Sequence, residues 1–421
     1  MSTSAPSATA PKAGPPPVRP GFAQRSLLSY CSQLDVVMLF AWVLSTTLPY
    51  GWAQPFRYLA AAYFAGTLVL FARQTLPTAV RAWPTFIVPI FCIVSALWAP
   101  SASDAIRKGM LFLLGSAVAI YAASRLTGRQ ILLIFMASET IAAVLCLQKP
   151  TIIGGAWTGI FGQKNYLAVN MFILYIAALA IMLDKGASRW FRLWALGIAP
   201  VALAMIVLAK SGTTTVLVIG ATAAMLGHAL LWQPAAKVRH MRLLIALFVA
   251  AMILAASIVL FGFLNFDAET SVLNALGKDA TLTGRTYLWA TAERTMAEHP
   301  LTGVGADGFW RSEYGVANSI LRYFDYESYV KFSFHNSYLE NGVAFGYPGY
   351  YATFFIAGWA IWRPGMNWLR NQTTINAAFL ILAVMVIFRS TTEIDLALEF
   401  TLTSSLLFIG AARVDRPIAR T

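Results

Sequence analysis

The sequence predicts an all-α polytopic membrane protein with about 12 transmembrane helices and one long loop outside the cytoplasm. Of its 421 residues, 58% are hydrophobic and only 12% are charged, whereas soluble domains hold about 25% charged residues. Apolar runs long enough to cross a bilayer recur along the chain. A polar, charged segment at 265–336 interrupts them, although connections in compact proteins are usually much shorter.

The apolar runs divide the chain into five parts. We expect a disordered cytoplasmic tail at 1–33, helices one to nine in 34–264, the long loop at 265–336, helices ten to twelve in 337–412 and a second tail at 413–421. The individual spans are predicted at 35–51, 57–73, 83–99, 109–124, 130–147, 166–183, 193–209, 213–232, 242–264, 337–362, 374–390 and 395–412.

The distribution of basic residues predicts the orientation of these spans. Lys and Arg concentrate in cytoplasmic connections of membrane proteins, and every second connection in this chain is net positive, as at Lys237, Arg239 and Arg242. The long loop is instead rich in acids such as Asp307 and Glu313. We therefore expect both termini in the cytoplasm and the long loop on the opposite side of the membrane.

The composition and the motifs argue against several classes of function. The net charge is +13, but no basic patch with interleaved aromatic residues lies outside the spans, so we expect no nucleic-acid partner. Cys31, Cys92 and Cys146 have neither metal-ligand nor disulfide spacing. Because no nucleotide-binding or metal-binding motif is present either, the sequence predicts no cofactor and no metal site.

Two short segments that precede predicted outer helix ends provide candidate substrate-binding residues. Lys164 and Asn165 follow a glycine-containing turn, in which the backbone can approach a ligand closely; Asn165 could instead cap the next helix. Lys210 lies beside a helix N-terminus, where free backbone N–H groups suit a phosphate, or it could extend to the lipid headgroups.

The long loop contains the candidate catalytic residues, Arg285 and His335. Arg285 could bind a phosphate through two parallel hydrogen bonds, or it could form a surface salt bridge. His335, one of four histidines, lies where the loop re-enters the membrane and could accept a proton near neutral pH, or merely stand at a capped helix start. Asn336 beside it is a further candidate for substrate binding. Two acids inside predicted spans, Glu139 and Glu399, are functional candidates by their location.

Four motifs in this order resemble those of the O-antigen ligase and exopolysaccharide polymerase family, and the resemblance is closer to the polymerases. They are GIFGQKN at 159–165, TGRT at 283–286, HPLTGVG at 299–305 and HNSYLE at 335–340. The resemblance extends over roughly residues 155 to 400 and includes the long loop. It implies an integral-membrane glycosyltransferase of the C type in the bacterial inner membrane, with the long loop in the periplasm.

The resemblance also implies the substrates and the residue roles. The donor would be a glycan on undecaprenyl diphosphate, and the acceptor would be a second lipid-linked repeat for a polymerase or lipid A core for a ligase. Arg285 matches the family position that holds the diphosphate, and His335 matches the position that serves the acceptor hydroxyl. Many ligases have a Ser-Arg pair where this chain has Lys210-Ser211. Partners would include a chain-length regulator and a flippase, besides membrane lipids.

Other functions stay open at the level of sequence. A transporter with twelve spans is the main alternative of another class, but the two halves of the chain show no convincing repeat. A peptidoglycan-type glycan polymerase would share the long outer loop, but the order of the motifs fits it less well. Aromatic residues of the loop, among them Phe309, Trp310 and Tyr329, could stack on sugar rings or could pack the loop onto the membrane domain.

The predicted orientation can be tested with reporter fusions. Alkaline phosphatase is active only outside the cytoplasm, so a fusion after residue 300 should be active and a fusion after residue 240 should be inactive. The reverse pattern would refute the orientation.

Overall fold

The computed structural model describes residues 22–249, 251, 279–326, 332–396 and 398–414. Apart from a hairpin of two short antiparallel strands, β1 (Ile152–Ile153) and β2 (Ala156–Trp157), these residues form helices and their connections. The helices are α1 (Phe22–Thr47), α2 (Gln54–Leu70), α3 (Ala72–Arg81), α4 (Ile87–Ser95), α5 (Ala102–Arg125), α6 (Gly128–Gln148), α7 (Lys164–Leu183), α8 (Arg189–Leu208), α9 (Gly212–Gly227), α10 (Asp279–Glu298), α11 (Gly315–Tyr323), α12 (Ser337–Arg370), α13 (Thr374–Arg389) and α14 (Leu402–Ala412).

Several of these helices are long and apolar enough to cross a membrane. Among the described residues five meet both criteria, namely α5, α6, α7, α8 and the stretch Gly212–Ala235 that begins with α9. The stretch Gly51–Leu70 and α3 would form a sixth span, bent by 100°. Shorter apolar helices include α13 and α14. The helical, polytopic character is therefore as expected, and the count of twelve spans stays a prediction.

Two predicted segments are only partly covered by the described residues. The predicted span 242–264 is helical at 242–249 and at 251, and its remainder lies outside the described residues. Within the predicted long loop, 265–278 and 327–331 lie outside them as well. The described part of this loop contains α10 and α11, so it is a folded unit with helices of its own.

The predicted last span, 395–412, was wrong at its beginning, because α14 starts only at Leu402. Its N-terminal part is held in an irregular conformation by polar contacts. Arg389 Nε donates to Asp395 Oδ2 at 2.7 Å, and the backbone N–H groups of Asp395 and Leu396 donate to Ser337 Oγ. Glu399 therefore lies before the last helix and not inside a span.

Helix α7 forms the centre of the membrane domain. Of its most apolar stretch, 83% is buried inside the protein, and it packs against α6, α8, α9 and α13. A helix that is apolar on all sides is expected to be enclosed by other helices. The first residues of α7, Lys164 and Asn165, are thereby placed on a rigid support.

The segment 299–305 anchors the long loop to α12. Val304 N–H donates to the Val343 carbonyl and Gly305 N–H donates to the Ala344 carbonyl, each at 2.9 Å. A Cβ on Gly303 would lie 2.4 Å from Ala344 carbonyl carbon, so only glycine permits this approach. Gly346, with φ of 71°, breaks α12 at the same level. The glycines of the 299–305 motif therefore have a structural role.

Candidate active site

Five of the six predicted site residues lie around the carboxylate of Glu393. A pocket of about 70 Å³ is lined by Lys164, Asn165, Lys210, Ser211, Gly212, Thr213, Arg285, Arg389 and Glu393. The imidazole of His335 lies beside this pocket, with Nδ1 3.2 Å from Glu393 Oε2. We call this pocket the basic pocket.

The helix ends that supply the first residues of the pocket follow from local sequence. Gly162, with φ of 67°, turns the chain from a short 3₁₀ helix into α7, so that Lys164 and Asn165 begin that helix. Lys210, with φ of 50°, forms the sharp corner between α8 and α9. A left-handed lysine is energetically unfavourable, and Ser211 follows it as the residue before α9.

Arg285 extends from α10 towards the membrane domain. Its Nη2 donates to Glu393 Oε1 at 2.9 Å, and its side chain is mostly shielded from solvent. A Cβ on the preceding residue, Gly284, would lie 2.7 Å from Phe324 Cε1, so the absence of a side chain lets α10 approach the region that follows α11. The glycine of TGRT thus helps to position the arginine.

Glu393 is the residue that connects the other groups. Its Oε1 accepts hydrogen bonds from Asn165 Nδ2 at 2.7 Å and from Arg285, and its Oε2 faces His335. Burial by itself raises the pKa of Glu393, but the hydrogen bond and charge of His335 and the charges of Arg389 and Arg285 lower this pKa below the usual value for a glutamate. The group is therefore a carboxylate at neutral pH.

His335 is held in a strained conformation. Its φ is 49°, and a residue of this kind in the left-handed region costs of order 1–3 kcal/mol, which the surrounding contacts must offset. The ring of Phe332 meets the imidazole edge-on at a centroid distance of 5.6 Å. Strain of this kind is concentrated at functional sites, and here it directs the imidazole towards Glu393.

Ser337, two residues after His335, fixes the backbone that contains Glu393. Ser337 is fully buried, its Oγ donates to the Glu393 carbonyl at 3.0 Å, and its N–H donates to the Ser390 carbonyl at 2.8 Å. The start of α12 is thereby bonded to the segment that follows α13. His335 and Glu393 are held in register by main-chain bonds as well as by their own contact.

Asn336 begins α12, in agreement with the alternative interpretation of this segment as a capped helix start. Its side-chain oxygen accepts hydrogen bonds from the N–H groups of Tyr338 and Leu339 at 3.0 and 3.1 Å, so it is the N-cap of α12. It does not line the basic pocket. A contribution to substrate binding stays a prediction, and the observed role is to begin the helix that follows His335.

Arg389, which the sequence analysis missed, forms the floor of the basic pocket. Only 2% of this residue is exposed. Its Nε donates to Asp395 Oδ2 and its Nη1 donates to Thr214 Oγ1 at 2.9 Å. Ser211 Oγ in turn donates to Asn165 Oδ1 at 3.2 Å. The ends of α7, α9 and α13 are therefore joined by polar contacts beneath the pocket.

The pocket has a strong excess of positive charge. Lys164, Lys210, Arg285 and Arg389 line it, and Glu393 is the carboxylate among its lining residues. Such a site suits an anion with several oxygens, such as a phosphate or diphosphate. No group of three or more His, Cys, Asp or Glu side chains suited to a metal ion occurs within the described ranges.

Glu393 lies in the connection between the last two predicted spans, and Arg389 lies at the end of the span before it. The sequence analysis missed both residues because no motif marks them. The available signal was an arginine and an acid four residues apart at the end of an apolar run, where a charged residue is costly without a partner.

The loop aromatics pack together in the part of the loop that the structure describes. Phe309 and Trp310 are buried and belong to a second apolar core with Leu288 of α10 and Phe334. Packing of the loop, one of the two alternatives for these residues, is therefore observed for Phe309 and Trp310. Tyr329 lies outside the described residues.

Comparisons with known proteins agree with the resemblance that the motifs predicted. A family model described as O-Antigen ligase matches residues 197–355. The exopolysaccharide production protein ExoQ of Rhizobium meliloti (strain 1021) is 26% identical over 343 residues, which cover 80% of this chain and 77% of that protein. The predicted resemblance to the O-antigen ligase and exopolysaccharide polymerase family is therefore confirmed.

The network around Glu393 predicts a pH-dependent contribution to stability. Glu393→Gln keeps the shape but removes the charge that pairs with Arg285 and His335, so it should lower the free energy of unfolding by about 1–3 kcal/mol at pH 7. Because the pKa of Glu393 is lowered on folding, this stabilisation is complete above the unfolded-state pKa and is lost as the pH falls through the folded-state pKa.

The measurement is the melting temperature of purified protein in detergent. The gap between wild type and Glu393→Gln should be full at pH 7 and should shrink progressively as the pH falls below about 4. Glu298→Gln, at the exposed end of α10, is the matched control and should melt like wild type. Equal melting temperatures for wild type and Glu393→Gln at pH 7 would contradict the role of this carboxylate.

Proposed function

We propose that this chain polymerises undecaprenyl-diphosphate-linked oligosaccharide repeat units into exopolysaccharide at the periplasmic face of the bacterial inner membrane. The main support is the convergence of a histidine–carboxylate pair with a basic pocket at one end of the membrane domain. A lipid-linked donor offers a diphosphate to such a pocket. The similarity to an exopolysaccharide production protein favours polymerisation.

The proposed reaction is a direct glycosyl transfer. The acceptor hydroxyl oxygen attacks the anomeric carbon of the donor sugar while its proton passes to His335. The new bond joins the acceptor oxygen to the anomeric carbon, and the bond between that carbon and the diphosphate oxygen breaks. Undecaprenyl diphosphate leaves with the bonding electrons, and its charge is neutralised by Arg285, Lys210 and Lys164.

Glu393 supports His335 as a base by fixing its orientation. When Nδ1–H donates to Glu393 Oε2, the neutral imidazole has its lone pair on Nε2, which can accept the acceptor proton. The carboxylate also stabilises the imidazolium that this proton transfer produces, as the aspartate does in a Ser-His-Asp triad. Glu393 is therefore a positioning residue that acts through His335.

The basic residues would share the diphosphate. The contact with Glu393 uses one nitrogen of the Arg285 guanidinium. Within the part of the chain that the structure describes, this guanidinium has no other side-chain partner. The remaining N–H groups can bind phosphate oxygens in pairs. Lys210 lies one step from the position at which many ligases have an arginine, and it would contribute a point charge instead of a fork.

Ligation of a glycan to lipid A core is the second candidate, and the match to the O-Antigen ligase model favours it. A clean deletion strain distinguishes the two. Accumulated single lipid-linked repeats would support polymerisation, whereas long polymer that is not attached to lipid A core would support ligation.

Purified protein in liposomes should elongate lipid-linked repeats without added metal. Uptake of a labelled solute instead would support a transporter.

Arg285→Lys should be far from conservative if Arg285 holds the diphosphate. The lysine keeps the charge but loses the paired hydrogen bonds. Arg285→Ala should cost about 3 kcal/mol in the transition state, on the order of a hundredfold in rate, and Arg285→Lys should recover only part of it. Arg322→Ala, on α11, is the matched loop control. Polymer of normal yield and length from well-expressed Arg285→Ala would refute this role.

Substitution of His335 separates proton transfer from positioning. His335→Ala should lose roughly two to four orders of magnitude in turnover while it stays folded and membrane-inserted. His335→Gln retains a hydrogen-bonding group but cannot take up the proton, so it should be nearly as inactive as His335→Ala. Substantial activity of His335→Gln would show a positioning role, and normal turnover of His335→Ala would exclude both.

A further inference from the structure

A second cavity lies on the other side of the His335 segment from the basic pocket. It encloses about 110 Å³ between α4, α5, the 304–310 segment and the start of α12. Ile394 lines this cavity, while its neighbour Glu393 lines the basic pocket. Phe332 also lines the cavity and contacts the His335 ring edge-on. The two cavities are therefore separated by the short segments that contain His335 and Glu393.

The walls of this cavity combine charged and aromatic side chains. Lys108 Nζ donates to Asp307 Oδ1 at 2.7 Å, and two more carboxylates, those of Glu340 and Glu399, line the same space. The aromatic part of the lining is Phe309, Trp310, Phe332, Phe334 and Phe345, together with Phe112 of α5. Carboxylates therefore outnumber the cation in a largely apolar surround.

One polar atom of the cavity lining lacks a hydrogen bond within the described ranges. Glu399 Oε2 is buried and has no hydrogen-bond partner there. A buried acceptor without a donor costs about 1–3 kcal/mol, so this atom indicates a bound group with a donor, such as a hydroxyl.

We propose that this cavity binds the terminal sugar of the acceptor glycan, an inference that rests on the proposed function. A sugar ring has hydroxyls that donate to carboxylates and apolar C–H faces that pack on aromatic rings. Drug-sized ligands need roughly 300–1,000 Å³, so a cavity of about 110 Å³ admits at most a single sugar ring and excludes an oligosaccharide. The surplus of carboxylates favours a neutral sugar over a uronic acid.

The arrangement matches the order of events in the proposed reaction. The donor diphosphate occupies the basic pocket, and the acceptor sugar occupies the second cavity, so His335 lies between them. A hydroxyl of the bound sugar that points past Phe332 would contact the imidazole of His335. The second cavity therefore determines which hydroxyl is presented, and hence the linkage that the enzyme forms.

The test uses a probe that has no phosphate, the free repeat oligosaccharide released from its lipid carrier by mild acid. Its binding to purified protein is measured by saturation-transfer NMR. Ala344→Leu places a larger side chain in the cavity lining, and Glu399→Gln changes an unpartnered acceptor without changing size. Both should weaken binding at least about tenfold, whereas Ala352→Leu, later on α12, should bind like wild type.

Saturation transfer in wild type should be strongest at the protons of one terminal sugar. Wild-type affinity in both Ala344→Leu and Glu399→Gln, or no binding to wild type, would overturn the proposal. Loss of binding in Arg285→Ala alone would place the saccharide in the basic pocket and would overturn it equally. If Ala344→Leu does not fold, saccharide binding by Glu399→Gln alone decides whether the proposal stands. Saccharide binding without any glycan elongation would instead count against the proposed function.

Discussion

The site depends on the hydrogen bonds and ion pairs of the Glu393 carboxylate. This carboxylate joins the first turn of α7, the arginine of α10 and the histidine before α12 through its two oxygens. Each of these groups comes from a separate part of the fold: α7 and α12 contribute to the central core, whereas α10 belongs to the second apolar core. Without the carboxylate, the cations of the basic pocket would repel each other and α10 would lose its polar contact with the membrane domain.

The glycine and serine residues of the motifs explain how Arg285 and His335 come close to the carboxylate of Glu393. Gly303 allows the loop to lie against the α12 backbone, and Gly346 breaks that helix at the same level. Ser337 then bonds the start of α12 to the irregular segment before α14. The motif residues that contact no pocket therefore have a structural role. They place Arg285 and His335 within hydrogen-bonding distance of the Glu393 carboxylate.

Part of the candidate site could be predicted from the sequence. Lys164 and Lys210 stood out because charged residues beside apolar runs are costly without a partner. Arg285 stood out in the TGRT motif of the long loop, and His335 stood out because histidines are few and it lies where that loop ends. Glu393 did not, because its partners are 228, 108 and 58 residues away in sequence, and no local pattern encodes such contacts. The start of the last helix was also mispredicted, since Ser337 Oγ accepts the Asp395 and Leu396 N–H groups and Arg389 pairs with Asp395 in an otherwise apolar stretch.

The basic pocket also suggests how donor binding and proton transfer are coupled in the proposed reaction. In the structure, Arg285 and His335 share one carboxylate. A diphosphate that draws Arg285 towards itself would remove a positive charge from Glu393 and leave its negative charge to His335. The imidazolium that proton transfer produces would then have the undivided charge of that carboxylate beside it. Binding of the donor would thus prepare the site for proton transfer from the acceptor hydroxyl.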